Sequence, residues 1–262
     1  MDRAGDAASF DLTGKVALVT GGSRGIGRAV AGAYARAGAR VAVASRKIDP
    51  LTAVAGEIEA AGGEALAVAC HTGDPEQVAA LVARVTDAWG GVDVLFNNAA
   101  TNPHYGPVLT AEEGHWDKTF EVNVKGYFHC ARAVVPSMRE RGGGSIVNVA
   151  SIAGLQPYRG LGVYSVSKAA VLMLTKVLAA ELAADGIRVN ALAPGLIETR
   201  FSEALWQDPQ RHERITASIP QGRIGRPEEL LGMALYLASD AASYTTGAVM
   251  LVDGGESLGQ SG

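Results

Sequence analysis

The sequence predicts a single-domain α/β protein with a doubly wound, seven-stranded parallel sheet and helices on both faces. Short β-branched runs alternate with alanine-rich helical stretches, which is the pattern of parallel strands joined by crossover helices. The strand-like runs are almost continuously apolar, as strands buried on both faces must be. The length of 262 residues suits one such domain, and no shift in composition marks a second.

Seven strands and six helices follow one another along the chain. The predicted strands span residues 16–20, 40–44, 65–70, 92–97, 145–150, 188–193 and 248–252. The predicted helices span residues 25–37, 51–61, 75–89, 112–140, 164–185 and 227–239. Right-handed crossovers turn this order into a doubly wound sheet.

Two segments depart from the alternation. Residues 1–13 are small and polar without periodicity, and we expect a flexible N-terminal arm before a domain spanning 14–262. Residues 195–226 hold prolines, charges and large apolar side chains directly after a strand. Because ligands bind beyond the carboxyl ends of parallel strands, we expect an irregular lid or substrate loop there.

Composition narrows the classes of function. The net charge is −4 and no basic run occurs, which disfavours nucleic-acid binding. No uninterrupted apolar run approaches 18 residues, so we expect no membrane span. The first residues lack the apolar core of a signal peptide, and Cys70 and Cys130 stand far apart, so we expect a cytoplasmic protein. The five histidines lack metal-ligand spacing, and we expect no metal.

A glycine turn joins the first strand to the first helix. Glycines here permit a tight turn and let backbone N–H groups reach a pyrophosphate at the helix N-terminus. The spacing alone also occurs in turns that hold no ligand, and the position between strand and helix favours a dinucleotide site. The turn reads Gly21-Gly22-Ser23-Arg24-Gly25-Ile26-Gly27.

Four polar residues form the candidate catalytic set. Tyr164 and Lys168 lie four residues apart on a predicted helix, so both can face one ligand. A carbonyl reduction needs an acid for the developing alkoxide, and a nearby ammonium together with a cationic nicotinamide could lower a tyrosine pKa from about 10 to about 7. Ser151, at the end of a strand, is a candidate donor to the substrate oxygen. Asn123 joins them only through the resemblance to a known family that the motifs below carry; each residue alone has an ordinary structural explanation.

These motifs resemble those of the short-chain dehydrogenase/reductase family over essentially the whole chain after residue 12. Residues 20–27 resemble its TGxxxGIG motif, residues 97–100 its NNAG motif with Ala100 for the last glycine, and residues 194–199 its PG motif. The four candidate catalytic residues match its tetrad in order and spacing. The resemblance implies a Rossmann-type fold. It also implies that Lys168 binds the nicotinamide ribose and that Asn123 holds a water in a proton relay.

The resemblance, with the placement of each motif, assigns a set of cofactor contacts. The backbone near Ile197 and the Thr199 side chain would hold the nicotinamide carboxamide. His71 stands where many relatives carry aspartate beside the adenine, so backbone at His71 or Thr72 would take its place. The assigned residues are Gly21, Ser23, Arg24, Gly25, Ile26, Gly27, Ser45, Arg46, Lys47, His71, Thr72, Asn98, Ala99, Tyr164, Lys168, Pro194, Gly195, Ile197 and Thr199.

The end of the second strand predicts NADP(H) as the cofactor. NAD enzymes place an acid there to bind the ribose 2′-hydroxyl. Here Ser45 occupies that position, Arg46 follows, and Arg24 in the glycine turn is a second cation for a 2′-phosphate. Asp49 is expected to cap the next helix instead.

Residues 98–103, 192–197 and 201–206 resemble the branch of NADP-dependent carbonyl and retinal reductases. We therefore expect NADPH-dependent reduction of a ketone or aldehyde to an alcohol, or the reverse. The side chains expected around the substrate suit a medium-sized apolar or aromatic carbonyl compound. They are Ser151, Leu155, Tyr158, Tyr164, Phe201 and Trp206.

Two other functions stay open, and an oligomer is expected. A 3-oxoacyl-carrier-protein reductase shares the skeleton and would need a basic docking surface, with candidates Arg132, Arg139, Arg141 and Arg159. A catalytically silent dinucleotide-binding regulator is disfavoured by the intact tetrad. Residues 169–174 are apolar on every helical face, so a partner must cover one side. We expect a homotetramer, and the resemblance pairs this helix with the 112–140 helix across a twofold axis.

Overall fold

The computed structural model describes residues 9–258 and shows one seven-stranded sheet. All neighbouring strands pair in parallel, in the order β3-β2-β1-β4-β5-β6-β7. The predicted Rossmann-type fold is thus confirmed. The strands are β1 Val16–Thr20, β2 Arg40–Ser45, β3 Glu64–Ala69, β4 Val94–Asn97, β5 Gly144–Val149, β6 Ile187–Pro194 and β7 Val249–Val252.

Helices cover both faces of the sheet. The α-helices are α1 Gly25–Arg36, α2 Ile48–Ala60, α3 Pro75–Trp89, α4 Glu113–Phe120, α5 Gly126–Glu140, α6 Gly162–Leu182, α7 Glu203–Trp206, α8 Pro209–Ser218 and α9 Leu231–Ala238. One apolar cluster joins the sheet to α1, α2 and α9, and a second joins it to α3, α5 and α6. Strand order reverses between β1 and β4, and in open α/β sheets the crevice at such a point binds ligands.

The helix expected at 112–140 is divided. A π-helical turn, Glu121–Lys125, separates α4 from α5 and contains Asn123. Hydrophobic periodicity does not reveal such a turn, because the side-chain pattern resumes after it. Turns of this kind are frequent at functional sites, where they redirect side chains.

The segment 195–226 contains helices where an irregular loop was expected. Asp208 accepts a hydrogen bond from the Arg211 N–H at 2.8 Å, and Pro209 occupies the first turn of α8. This Asp-Pro pair is a helix-start signal that the sequence interpretation missed. A β-bridge between Ile197 and Gly225 closes the segment at its base.

Two predicted boundaries also need correction: the start of the helix α2 and the extent of the N-terminal arm. The helix α2 begins at Ile48, three residues early, with Lys47 as its N-cap and Asp49 inside its first turn, so Asp49 is not the cap. Residues 1–8 of the expected arm lie outside the described residues. Leu12, within that arm, is fully buried and its N–H donates to the Ala37 carbonyl at 2.7 Å. The packed domain therefore includes Leu12.

The helix α6 is unusually apolar along its whole length. With its terminal turn, Gly162–Asp185, it is long and apolar enough by composition to cross a membrane, with a mean hydropathy of 1.4. Polar residues interrupt its sequence, so it contains no uninterrupted apolar run of membrane-spanning length. In the structure α6 packs along β6 and buries the polar side chains of Ser167 and Lys168, as a core helix of a globular domain does.

An ion pair fixes the amino-terminal edge of the sheet, opposite the predicted ligand crevice. Asp93 is almost buried, and both of its oxygens accept hydrogen bonds from Arg141 at 2.8 Å. The same carboxylate accepts the N–H of Val16, the first residue of β1, at 2.7 Å. Asp93 therefore links the start of β1 to the end of α5.

Replacing Asp93 by alanine should lower the free energy of unfolding by about 3 kcal/mol, because it leaves a partly buried guanidinium unpaired. Chemical denaturation measures the change. The matched control is Glu57→Ala, which removes the half-exposed Arg28–Glu57 pair and should have little effect. Equal effects of the two substitutions would contradict the role of Asp93.

Candidate active site

The glycine turn after β1 is shaped by close backbone packing. Gly21 has a φ of +64°, and a Cβ there would lie 2.7 Å from Asn98 Nδ2. A Cβ at Gly27 would collide with the Gly21 carbonyl. The Asn98 amide donates to the carbonyls of Thr20 and Gly21, both at 3.2 Å. Asn98, predicted to contact the cofactor, thus stabilises the glycine turn through two side-chain hydrogen bonds.

The first turn of α1 fits a diphosphate. Its N-cap, Arg24, makes no side-chain cap hydrogen bond, and the turn contains no acidic residue. The N–H groups of Gly25, Ile26 and Gly27 therefore carry the partial positive charge of the helix N-terminus without a capping acceptor. A Cβ at Gly25 would lie 3.2 Å from the Thr199 side chain. The glycine turn and the segment after β6 thus enclose one space, with half-buried Ser23 at the turn.

The cationic residues predicted to select NADP lie at the same sheet edge. The Gly22 N–H donates to the Ala44 carbonyl at 3.1 Å, which joins the glycine turn to the end of β2. Arg24 follows this junction on one side, and Arg46 follows Ser45 on the other; both arginines are exposed. Within residues 9–258 no carboxylate forms an ion pair with either arginine, whereas nearby Arg28 is paired. Uncompensated positive charge at this edge fits a 2′-phosphate.

The expected adenine contacts are only partly available. The His71 N–H donates to Gln77 Oε1 at 2.9 Å, so in the protein by itself this backbone donor is engaged. The cause is the first turn of α3, which carries Gln77 back over the end of β3. Thr72 is buried there. Ala100 replaces the family's glycine without strain, since no described residue other than glycine has a positive φ.

Three of the four candidate catalytic residues meet beyond β5. Ser151 begins a 3₁₀ turn, Ile152–Gly154, where its Oγ accepts the Ala153 N–H at 3.1 Å. Tyr164 lies in the first turn of α6, close enough to Ser151 for the serine side chain to lower the pKa of its phenol. A Cβ at Gly154 would lie 2.7 Å from the Lys168 backbone, so this glycine lets the Ser151 turn approach α6 closely.

Lys168 is buried with its ammonium beneath Tyr164. Only 1% of the residue is exposed, and Nζ lies 5.6 Å from the centre of the Tyr164 ring. The ammonium donates to the Val149 carbonyl at 2.7 Å. Burial lowers the pKa of Lys168 to about 7, because the charged form loses its hydration. The charge of Lys168 can therefore change near neutral pH.

The Tyr164 phenol is desolvated in the protein by itself. Burial raises the pKa of Tyr164 to about 12, against the lowering effect of the Ser151 hydrogen bond. The predicted lowering requires Lys168 together with a cationic nicotinamide; in the protein by itself, desolvation is the largest effect on the pKa of Tyr164. At neutral pH the side chain is a phenol, which is the form that donates a proton.

Asn123 connects three elements through its amide. Its Nδ2 donates to the Thr101 carbonyl and to Ser167 Oγ, both at 3.0 Å, and its Oδ1 accepts the Thr101 N–H at 2.8 Å. Both amide hydrogens are thus engaged within the protein. The side chain ties the segment after β4 to α6, so a relay water would have to be held through the second lone pair of Oδ1 or through other atoms of the π-helical turn.

Apolar side chains border the catalytic residues. The Phe201 ring lies 5.9 Å from the Tyr164 ring, and both Phe201 and Leu155 are about half exposed. Tyr158 donates to Glu256 Oε1 at 3.0 Å, and Trp206 Nε1 donates to Ser202 Oγ at 3.1 Å. Since their polar atoms have protein partners, Tyr158 and Trp206 offer mainly ring surface to a ligand.

Two residues that sequence reasoning missed hold the predicted nicotinamide segment. Ser202 Oγ donates to the Ile197 carbonyl at 2.5 Å and accepts the Thr199 N–H at 3.2 Å. Glu256 Oε2 accepts the Leu196 N–H at 3.0 Å. Glu256 comes from the far end of the chain, and no local pattern identifies it.

Pro194 and Gly195, which precede this segment, are positioned by the sheet. Pro194 ends β6, and the Gly195 N–H donates to the Val252 carbonyl of β7 at 3.1 Å. A Cβ at Gly195 would lie 2.8 Å from Glu256 Oε2, so only glycine fits. The predicted PG motif thus delivers residues 196–199 to the glycine turn.

Comparison with known proteins places this site in a family. Residues 21–257 match the family model described as enoyl-(acyl carrier protein) reductase. The chain is 46% identical over 244 residues to dehydrogenase/reductase SDR family member 4 of Oryctolagus cuniculus, covering 93% of this chain and 94% of that protein. The Homo sapiens protein of the same name is 45% identical, with 93% and 88% covered.

Solved structures give the same result. A short-chain type dehydrogenase/reductase from Mycobacterium marinum is 43% identical with a TM-score of 0.90, covering 95% of this chain and 97% of that one. A putative NAD(P)-dependent gluconate 5-dehydrogenase from Beutenbergia cavernae with bound NADP is also 43% identical, with a TM-score of 0.90 and coverage of 95% and 98%. The chain therefore belongs to the short-chain dehydrogenase/reductase family, whose oxidoreductase chemistry and use of NADP agree with the site described above.

Proposed function

We propose that the protein is an NADPH-dependent carbonyl reductase that converts a ketone or aldehyde to an alcohol, or catalyses the reverse. The observation that carries this proposal is the meeting of Ser151, Tyr164 and Lys168 beyond β5, beside the space enclosed by the glycine turn and Thr199. Bound NADPH supplies the hydride. Tyr164, a phenol at neutral pH, donates the proton to the developing alkoxide, and Ser151 donates a hydrogen bond to the same oxygen.

The preference for NADPH over NADH is supported by charge. Arg24 and Arg46 lie at the sheet edge where the adenosine ribose of a dinucleotide is bound in this fold. Ser45 offers no carboxylate to repel a phosphate. NADP is also the cofactor bound in a gluconate 5-dehydrogenase from Burkholderia cenocepacia, 34% identical with a TM-score of 0.92 and coverage of 96% and 98%.

A medium-sized apolar or aromatic carbonyl compound is the proposed substrate class. Large apolar side chains from three segments are exposed at the catalytic end, among them Tyr105, Leu155 and Phe201. Tyr105 packs over Gly160, where a Cβ would lie 3.1 Å from its ring, and Arg211 of α8 lies 5.6 Å from the same ring. The segment after β4 and the 195–226 segment thus meet above the site, as walls of a substrate pocket.

The two alternatives receive less support. A carrier-protein reductase needs free basic residues, but Arg139 pairs with Asp185 at 2.7 Å and Arg141 pairs with Asp93. Arg132 lies over the Phe128 ring at 5.3 Å. Three of the four candidate docking arginines are therefore engaged within the chain. A catalytically silent regulator would not require the buried Lys168 beneath Tyr164.

We also propose a homotetramer in the cytoplasm, with no membrane or nucleic-acid partner. The helix α6 exposes three apolar side chains: Val166, Met173 and Val177, with Met173 60% exposed. Phe128 of α5 is also exposed. A twofold contact between α5 and α6 of two copies would cover this face, as expected for a helix that is apolar on all sides.

Replacing Tyr164 by phenylalanine should lower kcat by at least about 100-fold, because a general acid contributes about 10²–10⁴ in rate. NADPH binding, followed by fluorescence titration, should change little, since only one hydroxyl is lost. A variant that keeps more than about a tenth of kcat, a loss under about 1.4 kcal/mol, would show that Tyr164 is not the acid.

Arg46→Ala should weaken NADPH binding by about 10- to 150-fold, because a charge-assisted hydrogen bond contributes about 1.5–3 kcal/mol. The KM for NADH should change little, so the ratio of kcat/KM values narrows. Arg28→Ala, which removes an arginine already paired with Glu57, is the matched control and should leave the ratio unchanged. An unchanged ratio in Arg46→Ala, or a wild-type preference for NADH, would refute the assignment.

Sedimentation at micromolar concentration should give four times the chain mass. Met173→Glu places a charge on the exposed face of α6 and should yield smaller species. Glu59→Lys reverses the charge of an exposed residue on α2, outside the proposed contact, and should not. A monomeric wild-type protein would refute the proposed assembly.

A further inference from the structure

A second buried tyrosine lies against the ammonium of Lys168. The Nζ atom donates to Tyr127 Oη at 3.4 Å and lies 5.3 Å from the centre of the Tyr127 ring. Tyr127 is 1% exposed and comes from the first turn of α5. The proposed proton transfer does not use this residue, and no sequence motif singled it out.

The Tyr127 hydroxyl is a hydrogen-bond acceptor toward Lys168. Its proton is donated to the Val149 carbonyl at 3.0 Å, the same carbonyl that accepts from Lys168 at 2.7 Å. The oxygen lone pairs are thus directed to the ammonium. Burial, reinforced by the neighbouring Tyr164, raises the pKa of Tyr127 well above its usual value, so the group remains a neutral phenol.

The π-helical turn explains how Tyr127 reaches this position. Asn123, inside the turn, contacts Ser167 of α6, and Tyr127, four residues later, contacts the next residue, Lys168. Gly126 between them packs so closely on Thr72 that a Cβ would lie 3.0 Å from its Oγ1. The turn therefore directs two successive polar side chains to two successive residues of α6.

We infer that Tyr127 is a positioning residue for Lys168, holding its ammonium together with the Val149 carbonyl. An ammonium has three donors, and these two acceptors engage two of them. The third N–H then remains available to Tyr164 or to the bound cofactor. The inference rests on the proposed function in one respect only, that Lys168 takes part in the reaction.

Few groups around Lys168 can stabilise its charged form, and the Tyr127 oxygen is one of them. The titratable groups that face it are Tyr164 on its own helix and Tyr127 on α5, while β5 presents a backbone carbonyl. In the described part of the chain no carboxylate forms an ion pair with Lys168. A hydrogen-bond acceptor favours the charged form of an amine, so loss of the Tyr127 oxygen should lower the pKa of Lys168.

The direct test is the titration of Lys168 in the intact protein labelled with ¹³C at the lysine ε-carbons, with Lys168→Met used to assign its signal. In Tyr127→Phe the midpoint should fall by about half to one pH unit, since one net hydrogen bond corresponds to about a 3- to 10-fold change in the protonation equilibrium. This measurement needs no turnover, so it tests the inference even if the proposed reaction is wrong.

The matched control is Tyr34→Phe. Tyr34 is also fully buried, and its hydroxyl also donates to a single carbonyl, that of Ala234 at 3.1 Å. Both variants keep the ring and should lose similar thermal stability, but only Tyr127→Phe should shift the Lys168 midpoint. In assays with NADPH, only Tyr127→Phe should move the alkaline limb of the kcat profile to lower pH. Equal midpoints in the two variants and the wild type would overturn the inference.

Discussion

The active site depends on one lysine ammonium held out of water at the end of β5. Burial of Lys168 costs free energy, and the Val149 carbonyl offsets part of that cost at 2.7 Å. Because β5 lies in the middle of the sheet, that carbonyl is fixed by strands on both sides. The ammonium thus links α6 to β5 at Lys168, one helical turn after Tyr164. The close contact of Gly154 on α6 places Ser151 against the same residues.

Most of the fold was predictable because it depends on periodicity and on glycine. The seven strands are almost continuously apolar, and each strand after the first follows a helical stretch. Gly21 and Gly27 lie where two backbone segments pack too closely for a Cβ atom. The turn could therefore be recognised from the spacing of its glycines. The tetrad was recognisable for a related reason: Tyr164 and Lys168 are one helical turn apart, and a single helix fixes their relation.

What the sequence could not predict depends on contacts between distant segments. Glu256 and Tyr127 act on residues sixty and forty-one positions away, and neither stands in a local motif. The π-helical turn was invisible because it preserves the apolar pattern on both sides. The raised pKa of Tyr164 in the protein by itself was not predictable either, because the spacing reveals the nearby ammonium but not the desolvation of the phenol.

The central claim is that hydride passes from NADPH to a carbonyl carbon in this site. The most direct measurement uses NADPH deuterated on the transferring face of the nicotinamide C4, an aromatic ketone and the wild-type protein, followed by mass spectrometry of the product. A single deuterium on the carbinol carbon of the alcohol is the expected result. Alcohol formed without the label, or no alcohol from any ketone or aldehyde of a broad apolar panel, would contradict the claim.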